Sequence, residues 1–297
     1  MTGANLRWDR TTVIALTAFV LLTACGTPLV ADEFAAARFV PERKDDLAFE
    51  NDRVAFRIYG PALRDSVENS GVDCWLKRVD YPIIDKWYAG AAQGISYHKD
   101  HGEGYDPYKV GDSLGCGGLA LWIDGKLAMS NVYQGYRIIE NGPRRAVFEV
   151  KYAWKGLSRD YRETRTFTLD SSSQLFRADS QISVDGRPAQ VTVAIGIATH
   201  GSDMRQQSDD AGRWVSHWGL IDDAGLGTGA VVLHQERGEV VRLKKKGKKG
   251  FGHTLVVTPT DEDGRIRYYA GFAWEKAGQI TDADAWCKYL DGYPTPE

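Results

Sequence analysis

The sequence predicts an all-β antiparallel fold in a single domain, with one short helix near the C-terminus. Three observations support this prediction: apolar and polar residues alternate in many short segments, turn dipeptides separate these segments, and no long amphipathic helix lies between them. Strands joined by short turns, without crossover helices, are typical of antiparallel sheets.

The first clear strand follows Phe49, where Val54, Phe56 and Ile58 alternate with Ala55, Arg57 and Tyr59. The other predicted strands, in chain order, are 115–122, 145–152, 161–169, 181–184, 190–198, 230–234, 254–258 and 265–274.

Tight turns are predicted at Asp124-Gly125, Asn141-Gly142, Asp185-Gly186 and Asp263-Gly264. Such dipeptides favour hairpins because both residues tolerate positive φ angles. The helix is predicted from Asp282 to Leu290, with Thr281 as its N-cap.

The N-terminus has the features of a bacterial lipoprotein signal. Arg7 and Arg10 precede an apolar run, 13–22, which is shorter than a membrane-spanning helix and leads to Cys25. We therefore expect residues 1–25 to be a signal peptide ending in a lipidated Cys25, residues 26–47 a flexible tether, and residues 48–297 the β domain. Gly26 favours an outer-membrane lipoprotein that faces the periplasm.

Composition narrows the possible partners. A net charge of -3 gives no general attraction to nucleic acid, and 11% aromatic residues suit stacking on sugar rings. Cys74, Cys116 and Cys287 remain after processing and permit one disulfide, whose pairing the sequence leaves open.

The segment 96–108, SYHKDHGEGYDPY, places two of the chain's six histidines three residues apart in a glycine-rich loop. Long loops on a β scaffold often carry binding or catalytic residues. His98, Lys99 and His101 are the candidates here, together with His200, which ends a predicted strand.

Three interpretations of these residues stay open. They bind a metal, although no HExxH pattern is present; they transfer protons together with Tyr97, Tyr105 or Tyr108; or they form a polar sugar-binding surface without chemistry. No hydride donor, phosphate-binding loop or nucleophile elbow is evident, so no organic cofactor is expected.

Four sequence blocks, 49–61, 96–108, 115–118 and 270–274, occur in an order that resembles an uncharacterised-domain family of bacterial polysaccharide-utilisation loci. That family is similar to galactose-mutarotase-like β-supersandwich proteins and includes an oligosaccharide dehydratase of ulvan breakdown. The resemblance implies a β-supersandwich that removes water from the terminal uronic acid of ulvan-type or pectin-type oligosaccharides and leaves a 4,5-unsaturated sugar.

Such an elimination needs a cation near the substrate carboxylate, a base and an acid. For this chemistry we expect Lys99 to supply the cation, with Arg165 as a second candidate, His101 and His200 to be the base and the acid, and Tyr105 to be a replacement for either. The further substrate contacts that we expect are His98, Tyr97, Arg165 and Trp274. The alternatives are a carbohydrate-binding lipoprotein without activity and a mutarotase-like epimerase.

Overall fold

The computed structural model describes residues 1–2, 33–200, 204–233, 238–244 and 251–293. The chain from Ala31 to Glu297 forms one compact unit. Its strands, in chain order, are β1 (Ala35–Val40), β2 (Asp46–Asn51), β3 (Ala55–Ile58), β4 (Val72–Lys77), β5 (Gly104–Tyr105), β6 (Cys116–Ile123), β7 (Lys126–Met129), β8 (Gly135–Asn141), β9 (Arg145–Ala153), β10 (Tyr161–Asp170), β11 (Leu175–Val184), β12 (Arg187–Pro188), β13 (Thr192–Thr199), β14 (Arg205–Ser208), β15 (Trp214–Ile221), β16 (Ala224–Leu233), β17 (Glu239–Leu243), β18 (Gly252–Pro259) and β19 (Arg265–Trp274).

The helices are α1 (Ile84–Ala92) and α2 (Ala283–Asp291), with two 3-10 turns at Pro61–Leu63 and Glu275–Ala277. The predicted all-β class with a short C-terminal helix is therefore confirmed. Helix α1 is an addition that the sequence pattern did not predict, and the N-cap of α2 is Asp282, not Thr281, because the Asp282 side chain accepts a hydrogen bond from Ala285 N at 2.8 Å.

The strands form three sheets. The first sheet has the order β1-β2-β3-β4-β5, and the third has the order β17-β18-β13-β6-β7. The large sheet has the order β14-β15-β16-β19-β11-β10-β9-β8, with β12 paired to β11. All named strand pairs in the described residues are antiparallel, as the turn chemistry predicted.

Two predicted hairpin turns show the backbone that their sequences favour. Asp124 and Gly125 have φ angles of 49° and 72°, and Asp185 and Gly186 have φ angles of 51° and 81°. Two successive positive φ angles define the type I′ turn, whose twist matches that of the flanking strands. These turns fix the β6–β7 and β11–β12 pairings.

An aromatic core joins the first sheet to the large sheet. The rings of Phe49 and Phe56 on the first sheet contact Phe148, Phe176 and Phe272 on the large sheet, with ring centroids 5.0–5.8 Å apart. These rings bury extensive apolar area and favour tilted packing. Residues at even positions of β3 and β4 therefore face the large sheet.

The opposite face of the first sheet packs against α1. Trp75 on β4 stacks on Trp87 of α1 with centroids 5.5 Å apart, and Ala48 and Ala55 complete this smaller core. The odd-numbered residues of β3 and β4 are covered by α1 and by the loop that follows it. The candidate site lies in the loop that follows α1, on this face of the first sheet.

The structure corrects the predicted tether of residues 26–47. Residues Ala35–Val40 form β1, which pairs antiparallel with β2 over the register Ala35–Asn51 to Val40–Asp46. The strand forms because Ala35, Ala37 and Val40 are buried. The predicted lipidation site, Cys25, lies outside the described residues.

Two further observations concern the predicted disulfide and the membrane. Cys74, Cys116 and Cys287 are buried free thiols. Within the described ranges, no helix has the length and apolar character needed to cross a bilayer.

Candidate functional site

The loop that contains segment 96–108 is fixed to β4 by an ion pair. Arg78, which follows β4, donates from Nη1 and Nη2 to the two carboxylate oxygens of Asp100 at 2.6 and 2.9 Å, and from Nε to Gly102 O at 3.2 Å. A bidentate guanidinium–carboxylate pair restricts the orientation of both groups. The tip of the loop is therefore held against the end of the first sheet.

Glu103 attaches the same loop to α1. Its carboxylate accepts hydrogen bonds from Lys86 Nζ at 2.5 Å, from Trp87 Nε1 at 3.2 Å and from the Tyr81 hydroxyl. Burial raises the pKa of Glu103, but the three donors outweigh burial and lower it below its usual value. Glu103 is thus a charged anchor between the loop and the helix.

Between these anchors, a tight turn presents the predicted polar residues. The Lys99 amide donates to Ser96 O at 3.2 Å, and the His101 ring folds back so that Nε2 donates to the same carbonyl at 3.1 Å. His98 Nδ1 donates to Asp106 O at 2.9 Å. The loop backbone therefore holds both imidazole rings, and Lys99 lies between the two histidines in the chain.

These contacts determine which ring nitrogens are available. A carbonyl oxygen only accepts, so the bonded nitrogen carries the proton and the other nitrogen of the neutral ring is free. Among the described residues, His98 Nε2 and His101 Nδ1 have no hydrogen-bond partner, so each is an available acceptor in the neutral ring. The His98 side chain is 60% exposed, and Lys99, between the two histidines in the chain, is also exposed.

The His98 ring packs against one of a pair of stacked aromatic rings, Tyr97 and Trp75. The Tyr97 ring stacks on Trp75 with centroids 4.9 Å apart, and the His98 ring lies 4.5 Å from Tyr97. The Asp106 amide donates to Tyr97 O at 2.9 Å and closes the loop behind the imidazole. Tyr97 thus supports the turn as a half-buried residue of the smaller core.

A buried charged cluster lies beneath this turn. Arg57 Nη2 is 2.5 Å from Asp73 Oδ2 and 3.3 Å from Asp106 Oδ2, and its guanidinium lies 5.2 Å from the Trp75 ring. Asp106 Oδ2 is also 3.5 Å from His98 Nδ1. One buried cation therefore joins β3, β4 and the loop that carries His98.

The cluster carries more carboxyl groups than its guanidinium can neutralise. Burial raises the pKa of Asp73 to about 6, although Arg57 acts in the opposite direction. Burial and the neighbouring Asp73 also raise the pKa of Asp106 well above its usual value. Two buried carboxyl groups close to one cation favour the uptake of a proton by the pair.

Tyr105 lies in the short strand β5, after the turn. Its hydroxyl donates to Asp222 Oδ2 at 2.5 Å, and its ring is 6.0 Å from Trp274. Burial and the Asp222 carboxylate raise the pKa of Tyr105. Tyr105 thereby joins the loop to the turn between β15 and β16.

His200 has separate surroundings. Its Nε2 donates to Lys109 O at 2.6 Å, and its ring contacts Tyr108 and Phe251 at centroid distances of 4.3 and 4.8 Å. Burial lowers the pKa of His200. In the described part of the chain, the hydrogen bonds and ring contacts of His200 share no partner with those of His101.

Two predicted substrate contacts are buried. Arg165 is 3% exposed and donates to both oxygens of Glu163 at 2.7 and 2.8 Å, because odd-numbered residues of β10 face the core. Trp274 is 1% exposed beneath Arg78 and Tyr105. Neither side chain is accessible to a substrate at the surface in this conformation.

The sequence patterns did not identify Arg57 and Asp73 as site residues. Arg57 belongs to the polar half of an alternating strand, a position that usually faces solvent. Asp73 is its cross-strand partner on β4.

As to metal binding, the described residues contain no group of three or more His, Cys, Asp or Glu side chains placed to hold an ion.

Comparisons with known proteins define the family. A curated relative, "Uncharacterized protein P7" of Formosa agariphila, is 33% identical over 283 residues, which cover 90% of this chain and 69% of the relative. Among solved structures, a heparinase III gene product matches 84% of this chain with a TM-score of 0.43 and 11% identity. A GH36 α-galactosidase from Geobacillus stearothermophilus matches 77% with a TM-score of 0.39 and 7% identity. The matched parts span 37% and 40% of those two chains.

A family model described as "Domain of unknown function (DUF4861)" matches residues 27–295, nearly the whole chain. Together with the curated relative, this match shows that the chain belongs to the DUF4861 family.

Proposed function

We propose that this protein is a lyase that eliminates water from the terminal uronic acid of an oligosaccharide and leaves a 4,5-unsaturated sugar. One observation carries the proposal: a single tight turn holds the imidazoles of His98 and His101 by hydrogen bonds to the loop backbone, each with its second ring nitrogen available to a substrate, and the exposed Lys99 lies between them in the chain. The resemblance of the sequence blocks to a family of polysaccharide-utilisation loci supports uronate-containing substrates of the ulvan or pectin type.

The chemistry assigns a role to each residue of the turn. The C5 proton of a uronate lies next to a carboxylate, so its removal places more negative charge on a group that is already anionic. Lys99 offsets this charge. His98 Nε2 accepts the C5 proton, the released electron pair forms the C4–C5 double bond, and protonated His101 donates a proton to the C4 hydroxyl, which leaves as water.

This assignment differs from the acid–base pair predicted from the sequence. His98 replaces His200 because it shares the turn with Lys99 and His101, whereas His200 contacts Tyr108 and Phe251. His98 is also held from behind by Asp106, through the carbonyl at 2.9 Å and the carboxylate at 3.5 Å. A proton acceptor held at its second ring nitrogen keeps one tautomer and one orientation.

A screen of uronate-containing oligosaccharides tests the activity. The unsaturated product absorbs in the near ultraviolet, and its mass is that of the substrate less one water. Cleavage without water loss indicates a polysaccharide lyase. A mobility shift in affinity electrophoresis without a product indicates a binding protein, and accelerated anomer exchange alone indicates a mutarotase-like epimerase. Each of these three outcomes contradicts the proposed dehydratase activity.

Variants of the turn test the roles on a substrate found in that screen. His98→Gln and His101→Gln are expected to lower kcat by roughly 10²–10⁴-fold with little change in KM. Lys99→Ala is expected to raise KM and lower kcat, because the substrate anion is present in both the ground state and the transition state. Lys126→Ala removes another exposed lysine, in β7, and is the matched control.

The cellular location is also a proposal. A lipidated Cys25 would anchor the protein to the outer membrane, with the β domain in the periplasm. Oligosaccharides that enter the periplasm would then reach the turn from solution, since the exposed faces of His98, Lys99 and His101 lie on the domain surface.

A further inference from the structure

Strand β8 is an exposed edge of the large sheet. It ends the strand order, pairs with β9 and with no other strand in the described residues, and is exposed from residue 136 to 141. Tyr136, Ile138 and Ile139 are 42%, 36% and 50% exposed. Edge strands that expose apolar side chains are templates for pairing with another strand, and most proteins protect them with lysine or proline. β8 contains neither residue.

A β-bulge places the two charged residues of β8 on the same face. Arg137 pairs with Glu149 and Glu140 pairs with Val147, with a register shift between Ile138 and Glu140. Glu149 and Val147 are two residues apart on β9, so their side chains point to the same side. Arg137 and Glu140 therefore also point to one side, although they are three residues apart and would otherwise alternate.

This geometry makes the strand complementary to itself. We propose that β8 pairs antiparallel with β8 of a second copy of the chain, about a two-fold axis that passes between Ile138 and Ile139. Arg137 of each copy then faces Glu140 of the other on the same side of the joined sheet, and Ile138 faces Ile139. Opposite charges and apolar side chains are the favourable cross-strand pairs, and a two-fold axis forms each of them twice.

Arg137 is available for this contact. Its side chain is 68% exposed, and its pair with Glu149 is long, at 3.4 Å. An unrelated strand would need to supply the reversed charge order by chance, whereas a second copy supplies it by symmetry. The chemistry of the edge therefore favours a homodimer over another β partner.

Sedimentation velocity of the full chain at micromolar concentrations tests the proposal, with melting temperatures to confirm folding. The wild type is expected to show a concentration-dependent monomer–dimer equilibrium. Arg137→Glu, which places like charges opposite each other, and Ile139→Lys should each weaken dimerisation by about tenfold or more. The double variant Arg137→Glu/Glu140→Arg restores the complementary charges and should recover the dimer.

Leu220→Lys is the matched control. Leu220 is an apolar residue of β15 that is 78% exposed, outside β8, and its replacement should leave the equilibrium unchanged. A wild type that stays monomeric over the whole range overturns the proposal, as does a double variant that stays dissociated while folded. Arg137→Glu could unfold because it places a second carboxylate beside Glu149. In that case the Ile139→Lys variant tests the interface. If this variant is folded and dimerises like the wild type, the β8 interface is rejected.

Discussion

His217 and Thr254 join the large sheet to the third sheet: His217 Nε2 on β15 lies 2.7 Å from Thr254 Oγ1 on β18. The Thr254 hydroxyl donates to Gln206 Oε1 at 3.0 Å, so it accepts from the imidazole. Burial lowers the pKa of His217 to about 4, with smaller contributions in the same direction from His200, Arg242 and His253. The folded protein therefore holds His217 neutral.

This neutral histidine is expected to make the fold acid-sensitive. As the pH falls, the unfolded chain protonates His217 near pH 6.5, but the folded chain does so only near pH 4. Folding stability is therefore lost through this window, by about 2 kcal/mol at pH 5. His217→Gln keeps a hydrogen-bond donor without a titration. Urea unfolding at pH 7 and pH 5 should show a smaller loss for the variant, and parallel curves would contradict the prediction.

The sequence predicted most of the large sheet but not α1. Alternation marks β9, β10 and β19 because one face of each strand is buried and the other is not. Helix α1 has no side-chain cap of its own. Its first amides, at Ile83 and Ile84, donate to the carboxylate of Glu50, which is 33 residues or more away in the chain. A cap supplied by a distant strand leaves no local pattern.

Glu50→Gln is expected to destabilise the protein by about 3–5 kcal/mol. Glu50 is buried, and it also pairs with the buried Lys77 at 3.1 Å. Removing the charge of one partner leaves the other charge buried without compensation. Asp170→Asn is the control: the pair of Asp170 with Arg145 is about half exposed at both ends, so its loss should cost under about 1 kcal/mol. Equal shifts of the urea midpoint in the two variants would refute the assignment.

The candidate site was predictable only where the residues are close in the chain. Segment 96–108 contains His98, Lys99, His101 and Asp106, and within this loop His98 contacts Asp106 and His101 contacts Ser96. Arg57 comes from a strand 49 residues before Asp106, and it is buried among Asp73, Asp106 and Trp75, which come from β4 and the loop. Alternation alone could not distinguish a face covered by a helix from a face covered by water.

Tyr105→Phe tests whether this predicted catalytic residue acts in chemistry or in anchoring. Its hydroxyl is already bonded to Asp222 at 2.5 Å, which makes it a poor proton donor to a substrate. We expect a loss of about 1–2 kcal/mol in stability and a turnover within tenfold of the wild type. Asp222→Asn should have the same effects on stability and on turnover. A decrease of 10²-fold or more in kcat for Tyr105→Phe alone would restore its catalytic role.

Cys25→Ser tests the predicted lipid anchor. Diacylation of the Cys25 thiol would attach the chain to the membrane, and serine removes the modified atom. Expressed in a Gram-negative host, the wild type should fractionate with the outer membrane, and Cys25→Ser should lose outer-membrane association. Cys287→Ser, which replaces a buried thiol of the β domain, is the control and should fractionate like the wild type. Identical fractionation of Cys25→Ser and the wild type would reject the anchor.

His200→Ala tests two alternative acid–base pairs. The sequence predicted His101 with His200, whereas the proposed function uses His98 with His101. His200 donates to Lys109 O and packs between Tyr108 and Phe251, so its removal should lower the free energy of unfolding by about 1–3 kcal/mol. Turnover per folded molecule should stay within about threefold of the wild type, whereas His101→Ala should lose roughly 10²–10⁴-fold. Measuring kcat beside the melting temperature distinguishes the two effects. If His200→Ala is fully folded and its kcat falls as far as that of His101→Ala, the proton-transfer role belongs to His200, and His98 is left as a substrate contact.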